Sequence, residues 1–250
     1  MPYRPAHPLS AAGSSRIDML RLALVGQVLL GHYAMIAYPR FPDLDFGRAA
    51  DVYVGLFRLV SRFGSQAAFV FVCISGYFLV PRLLATALKV AGAEPIGAFL
   101  LGRLKRIYPT LVAALVLTLV CDAAGIWGLG AEPFYRRFGV YDAVAALNWR
   151  TGLGNLLSLQ PTWSDAFGTN GPLWTLGYIV QFYCIGALLA EALRRGRRTG
   201  LALALVIIAL GLAFAQAWLL VLACWLSCAL VRWIKPAGRR QAWFELLLGL

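Results

Sequence analysis

Five uncharged apolar runs follow one another along the chain, at residues 22–39, 63–81, 107–121, 166–190 and 199–231, and every Lys, Arg, Asp and Glu falls outside them. About 20 apolar residues span a hydrocarbon core as a helix. In lipid only helices and closed barrels satisfy their own backbone, and runs of this length without strand alternation predict an all-α fold, a polytopic transmembrane helical bundle. No water-soluble domain hides such a surface: the chain is 60% hydrophobic and 14% charged, with a mean hydropathy of +0.72. The five cysteines (Cys73, Cys121, Cys184, Cys224, Cys228) lie within or at the ends of apolar stretches and read as small buried hydrophobes rather than a disulfide framework or metal knuckle.

The fifth run, about 33 residues, would make a single helix of about 50 Å, well beyond the bilayer core. Two shorter spans turning near residues 215–217 are the alternative, and charge favours them, because cytoplasmic loops are enriched in Lys and Arg. With the N-terminus inside, Arg4, Arg16 and Arg21 share the cytoplasmic side with Arg82, Lys89, Arg103, Lys105 and Arg106. Arg194, Arg195, Arg197 and Arg198 join them, as do Arg232, Lys235, Arg239 and Arg240 if the run is a hairpin. The outer segments balance Arg40, Arg48, Arg58, Arg62, Arg136, Arg137 and Arg150 against Asp43, Asp45, Asp51, Asp122, Glu132, Asp142 and Asp165. The expected topology is six spans plus the start of a seventh in "FELLLGL", with outer loops at about 40–62 and 122–171. Residues 1–15 form a polar tail and 16–250 the membrane domain. The first apolar run exceeds a signal-peptide core and lacks a small-residue cleavage site, so it stays as the first span. The net charge of +12 is accounted for by these loop clusters, and no nucleic-acid partner is expected. The second outer loop, with Trp127, Trp149 and Trp163, is too aromatic for a tether and is expected to pack over the bundle.

"LRLALVGQVLLGHYAMIAYP", residues 20–39, places an imidazole deep inside a span. Arg21 and His32 are eleven positions apart, which on a helix returns them to one face about 16 Å apart along the axis; Asp18 lies near that face. Either His32 bonds a neighbouring helix and Arg21 and Asp18 are interfacial flanks, or the buried ionisable group marks a site. A general base working near neutrality within the spans would have to be His32, since the other histidine, His7, is in the tail. "RLKRIYP", residues 103–109, puts three cations at the cytoplasmic start of the third span, as an orientation signal or as a phosphate-binding pair, Arg103 and Arg106 at i,i+3. Ser75-Gly76 breaks "FVFVCISGYF", for close helix packing or to open backbone to a substrate. "NGPLWTLGYIVQFY", residues 170–183, sets Trp174 at an interface and Tyr178, Gln181 and Tyr183 within a span. Aromatic belts account for the rings, whereas Gln181 requires a partner.

In this order the four segments resemble the membrane-bound acyltransferase 3 family, which includes O-acetyltransferases of bacterial envelope carbohydrates. The similarity covers roughly residues 16–190. The family's Arg-x10-His falls on Arg21 and His32, its Phe-rich Ser-Gly-Phe helix on Ser75-Gly76-Tyr77, and its Arg-x-x-Arg-Ile-Tyr-Pro on Arg103, Arg106, Tyr108 and Pro109. Its Trp-Ser/Thr-Leu helix begins at Trp174. The resemblance implies a multi-pass inner-membrane transferase, moving acetyl from acetyl-CoA to an envelope polysaccharide or glycolipid hydroxyl without a metal. By the same resemblance His32 is catalytic and Arg21, Arg103 and Arg106 bind the donor, with Ser75, Gly76, Tyr108, Trp174, Gln181 and Tyr183 lining the substrate pocket. Two departures stand out: Ile179 occupies the place of an acidic residue five positions after the Trp, and the family commonly runs to about ten spans. They suggest the alternative of a truncated or degenerate relative that binds donor or glycan without turnover. A transporter would want several ionisable groups at mid-membrane and internal repeats, and neither is evident.

Overall fold

Apolar sequence with helical continuity becomes helix wherever the structure is described: the computed structural model describes residues 11–38, 44–45, 47–136 and 141–230. Among these there is no strand. They cluster into two compact units whose boundary falls between Ile74 and Ser75.

The unit before Ser75 holds α1 (Ala11–Ala37), α2 (Ala49–Ser61) and the start of α3 (Gly64–Ala87). Glycines set the packing of its helices. A Cβ on Gly31 would stand 3.1 Å from both the Gly64 Cα and the Ser61 carbonyl oxygen, so the backbones approach as closely as small residues permit. Gln27 ties the same seam by donating to the Val60 carbonyl at 2.8 Å. Leu22, Leu29, Met35 and Ile36 remain exposed, and only 6% of the apolar window of α1 is buried within the protein, an exposure suited to lipid.

The unit from Ser75 onward contains the rest of α3, α4 (Ile96–Ala123) with a π-helical turn at Ala124–Gly128, and the short helices α5 (Glu132–Arg136), α6 (Ala143–Ala146) and α7 (Trp149–Leu156). A 3-10 turn at Gly171–Leu173 then leads into α8 (Trp174–Arg195), α9 (Arg197–Phe214) and α10 (Gln216–Leu230). Its core is aromatic and centred on α8: the Phe182 ring lies 5.6 Å from Trp218 and 5.6 Å from Trp225, and Phe182 and Trp225 are fully buried. Trp225 also donates its indole N–H to Ser75 Oγ at 2.8 Å. Beside it, a Cβ on Gly76 would come within 2.1 Å of the Trp225 carbonyl oxygen. Gly76→Ala is therefore expected to force α3 from α10 and cost at least about 2 kcal/mol, read as a lowered thermal midpoint in detergent.

Among the described residues, four helical stretches are long and apolar enough to cross a membrane: Ser15–Ala37, Ala49–Ala87, Ile96–Gly128 and Gly171–Arg195. The long apolar run does break, at Ala215 between α9 and α10. The stretch expected as an outer loop at 40–62 contains α2; Asp51, Arg58 and Arg62 interrupt the uncharged run there without interrupting its helical apolar pattern. Likewise α4 begins at Ile96, so Arg103 and Arg106 lie well inside a helix rather than at its start. The "FELLLGL" stretch and residues 1–10 lie outside the described residues.

The 122–171 segment is folded onto its unit. Asp122, buried at the end of α4, accepts the Thr169 N–H at 2.7 Å and the Thr169 hydroxyl at 2.9 Å. Gly168, at φ +54°, leaves room for that carboxylate: a Cβ would stand 2.1 Å from Asp122 Oδ2. Phe167 packs with Leu111 and Leu115. Burial first, then the charge of Asp122, pushes the Tyr135 and Tyr141 phenols up from their ordinary range. Asp142 is held below its ordinary value, first by the Ala145 N–H it accepts as the cap of α6, with Arg136 contributing. Trp127, Trp149 and Trp163 stay exposed.

Candidate functional site

α1 is continuous from Ala11 to Ala37, so the one-face relation of Arg21 and His32 follows from helical geometry. His32 is partly buried, and its Nδ1 lies 2.7 Å from the Val28 carbonyl oxygen one turn back. A carbonyl only accepts, so Nδ1 is the protonated nitrogen. With Nδ1 engaged, Nε2 is the nitrogen left for a lone pair when the ring is uncharged, the arrangement a general base requires. Arg21, half exposed, pairs with Asp18 at 3.2 Å, so its charge is partly met by a neighbour on its own helix.

His32 lines a cavity of about 480 Å³ with Gly31, Arg58, Ser61, Arg62 and Ser65 among the other walls. Sequence reasoning assigned Arg58 and Arg62 to a loop and so missed them as neighbours of the histidine. The signal was present: a cation within an apolar helical pattern is costly for the same reason His32 is. Arg58 donates through NH2 to the Ala34 carbonyl at 3.0 Å and to the Tyr38 carbonyl, both at the C-terminal end of α1. Arg62 lies 5.4 Å from the Phe63 ring centre.

The other residues singled out from sequence belong to the second unit. Arg103 is partly buried over the Phe99 ring at 5.6 Å, and Phe99 meets Tyr183 edge-on at 6.3 Å, so one ring joins a cation of α4 to a tyrosine of α8. Arg106 is exposed. Tyr108 packs against the Leu111, Leu115 and Phe167 cluster, and Trp174 meets Tyr178 edge-on at 5.8 Å. Gln181 has the partners its burial demands: it accepts from Thr162 Oγ1 at 3.0 Å and Trp218 Nε1 at 2.9 Å, and donates to the Ser158 carbonyl at 2.8 Å. Ser75 and Gly76 meet Trp225. Ile179 is 7% exposed on α8.

Among the described residues no cluster of three or more His, Cys, Asp or Glu side chains offers a metal site. All five cysteines are free; Cys73 is buried, whereas Cys121, expected to be buried, is exposed. It sits on the part of α4 where Leu117, Leu119 and Val120 are exposed as well.

A family model described as an acyltransferase domain matches residues 14–247. Among characterised proteins, the chain is similar to nodulation protein 10 of Rhizobium leguminosarum bv. viciae. The two are 26% identical over 215 residues, covering 83% of this chain and 52% of that protein, so the chain spans about half the length of the curated relative it matches. No solved structure matches it.

Proposed function

Because the chain belongs to the acyltransferase domain family, we propose that it is an inner-membrane O-acyltransferase. Its reaction moves an acyl group, acetyl foremost, from cytoplasmic acyl-CoA to a hydroxyl of an envelope polysaccharide or glycolipid. The observation that carries this reading is the setting of His32: its Nδ1 is engaged by the Val28 carbonyl at 2.7 Å, and the residue lines a cavity of about 480 Å³.

The chemistry proceeds in one exchange. The acceptor's hydroxyl oxygen forms a bond to the acyl carbon as its proton passes to His32 Nε2, and the carbonyl electron pair moves onto oxygen. That pair returns as the C–S bond breaks; the CoA thiolate leaves and takes the proton back from the imidazolium. The donor's phosphates rest on Arg103 and Arg106, three positions apart on α4; with the N-terminus inside, Arg21 lies at the cytoplasmic end of α1. The imidazole is then about 16 Å deeper along α1 than Arg21.

The test is CoA release from acetyl-CoA by the full chain in membranes, with transfer of labelled acetyl to envelope glycan. Absence of both would overturn the reading. Arg103→Gln with Arg106→Gln is expected to raise KM for acetyl-CoA about tenfold, a loss of about 1.4 kcal/mol in binding, while kcat changes little. A fall in kcat at constant KM would assign the arginines elsewhere.

A further inference from the structure

The guanidinium of Arg58 is more than a lock on the end of α1. Its NH2 group reaches the Ala34 and Tyr38 carbonyls, groups that a helix C-terminus leaves without intrahelical donors. That requirement is commonly met by a glycine cap or by water. An arginine is a costly device for it in an apolar helix, and it brings further donors in a rigid fork. Arg58 Nε is buried and has no acceptor. A buried N–H without an acceptor costs about 1–3 kcal/mol, so placing a guanidinium here is expensive whatever it does for α1.

The same side chain lines the cavity of about 480 Å³ that His32 lines, a volume suited to a small acyl group and the atoms flanking it. The other polar walls are poorer candidates. Ser61 turns its hydroxyl to the Arg58 carbonyl at 3.4 Å, and Arg62 and Ser65 are exposed. Two carbonyl bonds from NH2 hold the Arg58 fork in place before any ligand arrives, which is what makes a donor effective toward charge that develops only during reaction.

We propose that Arg58 is a catalytic residue that holds the acyl carbonyl oxygen while that oxygen carries the negative charge of the tetrahedral intermediate. This rests on the O-acyltransferase reading: the electron pair that moves onto oxygen when the hydroxyl attacks is the one Arg58 receives, and it returns when the C–S bond breaks. No proton leaves Arg58.

The experiment compares the native full chain, His32→Ala, Arg58→Gln and Arg58→Lys in membranes, with acetyl-CoA as donor and CoA release as readout, alongside thermal midpoints. Arg58→Gln is expected to lower kcat about 100-fold with KM for acetyl-CoA within about threefold of native. Arg58→Lys, which keeps a cation at the end of α1 without the fixed fork, is expected to keep the native midpoint and lose at least about tenfold in kcat. Native kcat in Arg58→Lys, or loss in Arg58→Gln matched wholly by loss of folded protein, would reduce Arg58 to a helix lock. Activity that needs His32 but not Arg58 overturns this proposal alone; a native chain without acetyl-CoA turnover overturns the parent reading and this role with it.

Discussion

His32→Ala is expected to abolish acyl transfer, lowering kcat about 10²–10⁴-fold, the range a positioned general base contributes, with little change in KM for acetyl-CoA. The rate of CoA release measures it. Turnover at the native level in this variant would remove the mechanism. The effect should be confined to chemistry, because the His32 side chain makes its bond within its own helix, to Val28, and its loss severs no hydrogen bond between helices among the described residues. A second measurement addresses the ring itself. The chain has two histidines, so a ¹⁵N-histidine spectrum of the His7→Gln protein reports on His32 alone. A proton at Nδ1, held by the Val28 carbonyl, is expected; the opposite tautomer, protonated at Nε2 only, would leave the base without its lone pair.

Much of this arrangement was legible in the amino-acid order because it depends on local rules. The continuous α1 follows from an unbroken apolar run, and the start of α8 from Gly171-Pro172, since Pro is pre-organised for the first helical turn. The break at Ala215 follows from a run too long for one span. The Val28 bond was legible too: in a helix the carbonyl at i−4 lies beside the side chain at i. The sequence reading looked instead to a neighbouring helix for a partner of His32, and the bond lies within α1.

Arg58 was hidden for a different reason. Its carbonyl partners, Ala34 and Tyr38, are 24 and 20 positions away, and only the folding of α2 against α1 brings them together. Reading the first outer loop by uncharged stretches alone also erased α2. The partners of Gln181 illustrate the same limit: the need for them was plain, but Ser158, Thr162 and Trp218 come from a loop and a later helix.

Ile179→Glu probes the place where the chain departs from its family. Ile179 lies between Tyr178 and Gln181 on the most buried stretch of α8, and the Tyr178 and Phe182 rings stack 5.8 Å apart around it in sequence. A carboxylate introduced there replaces an apolar side chain that is 7% exposed. On insertion-type scales an acid at the centre of a span costs about 3 kcal/mol. The variant is therefore expected to melt several degrees lower in detergent and to release CoA no faster than the native chain. The reason it need not be faster is chemical: the usual service of an acid to a catalytic histidine is to hold one tautomer, and Val28 performs that service at 2.7 Å. If instead the native chain proves inert and Ile179→Glu turns over acetyl-CoA, the native protein is a relative that binds donor or glycan without chemistry.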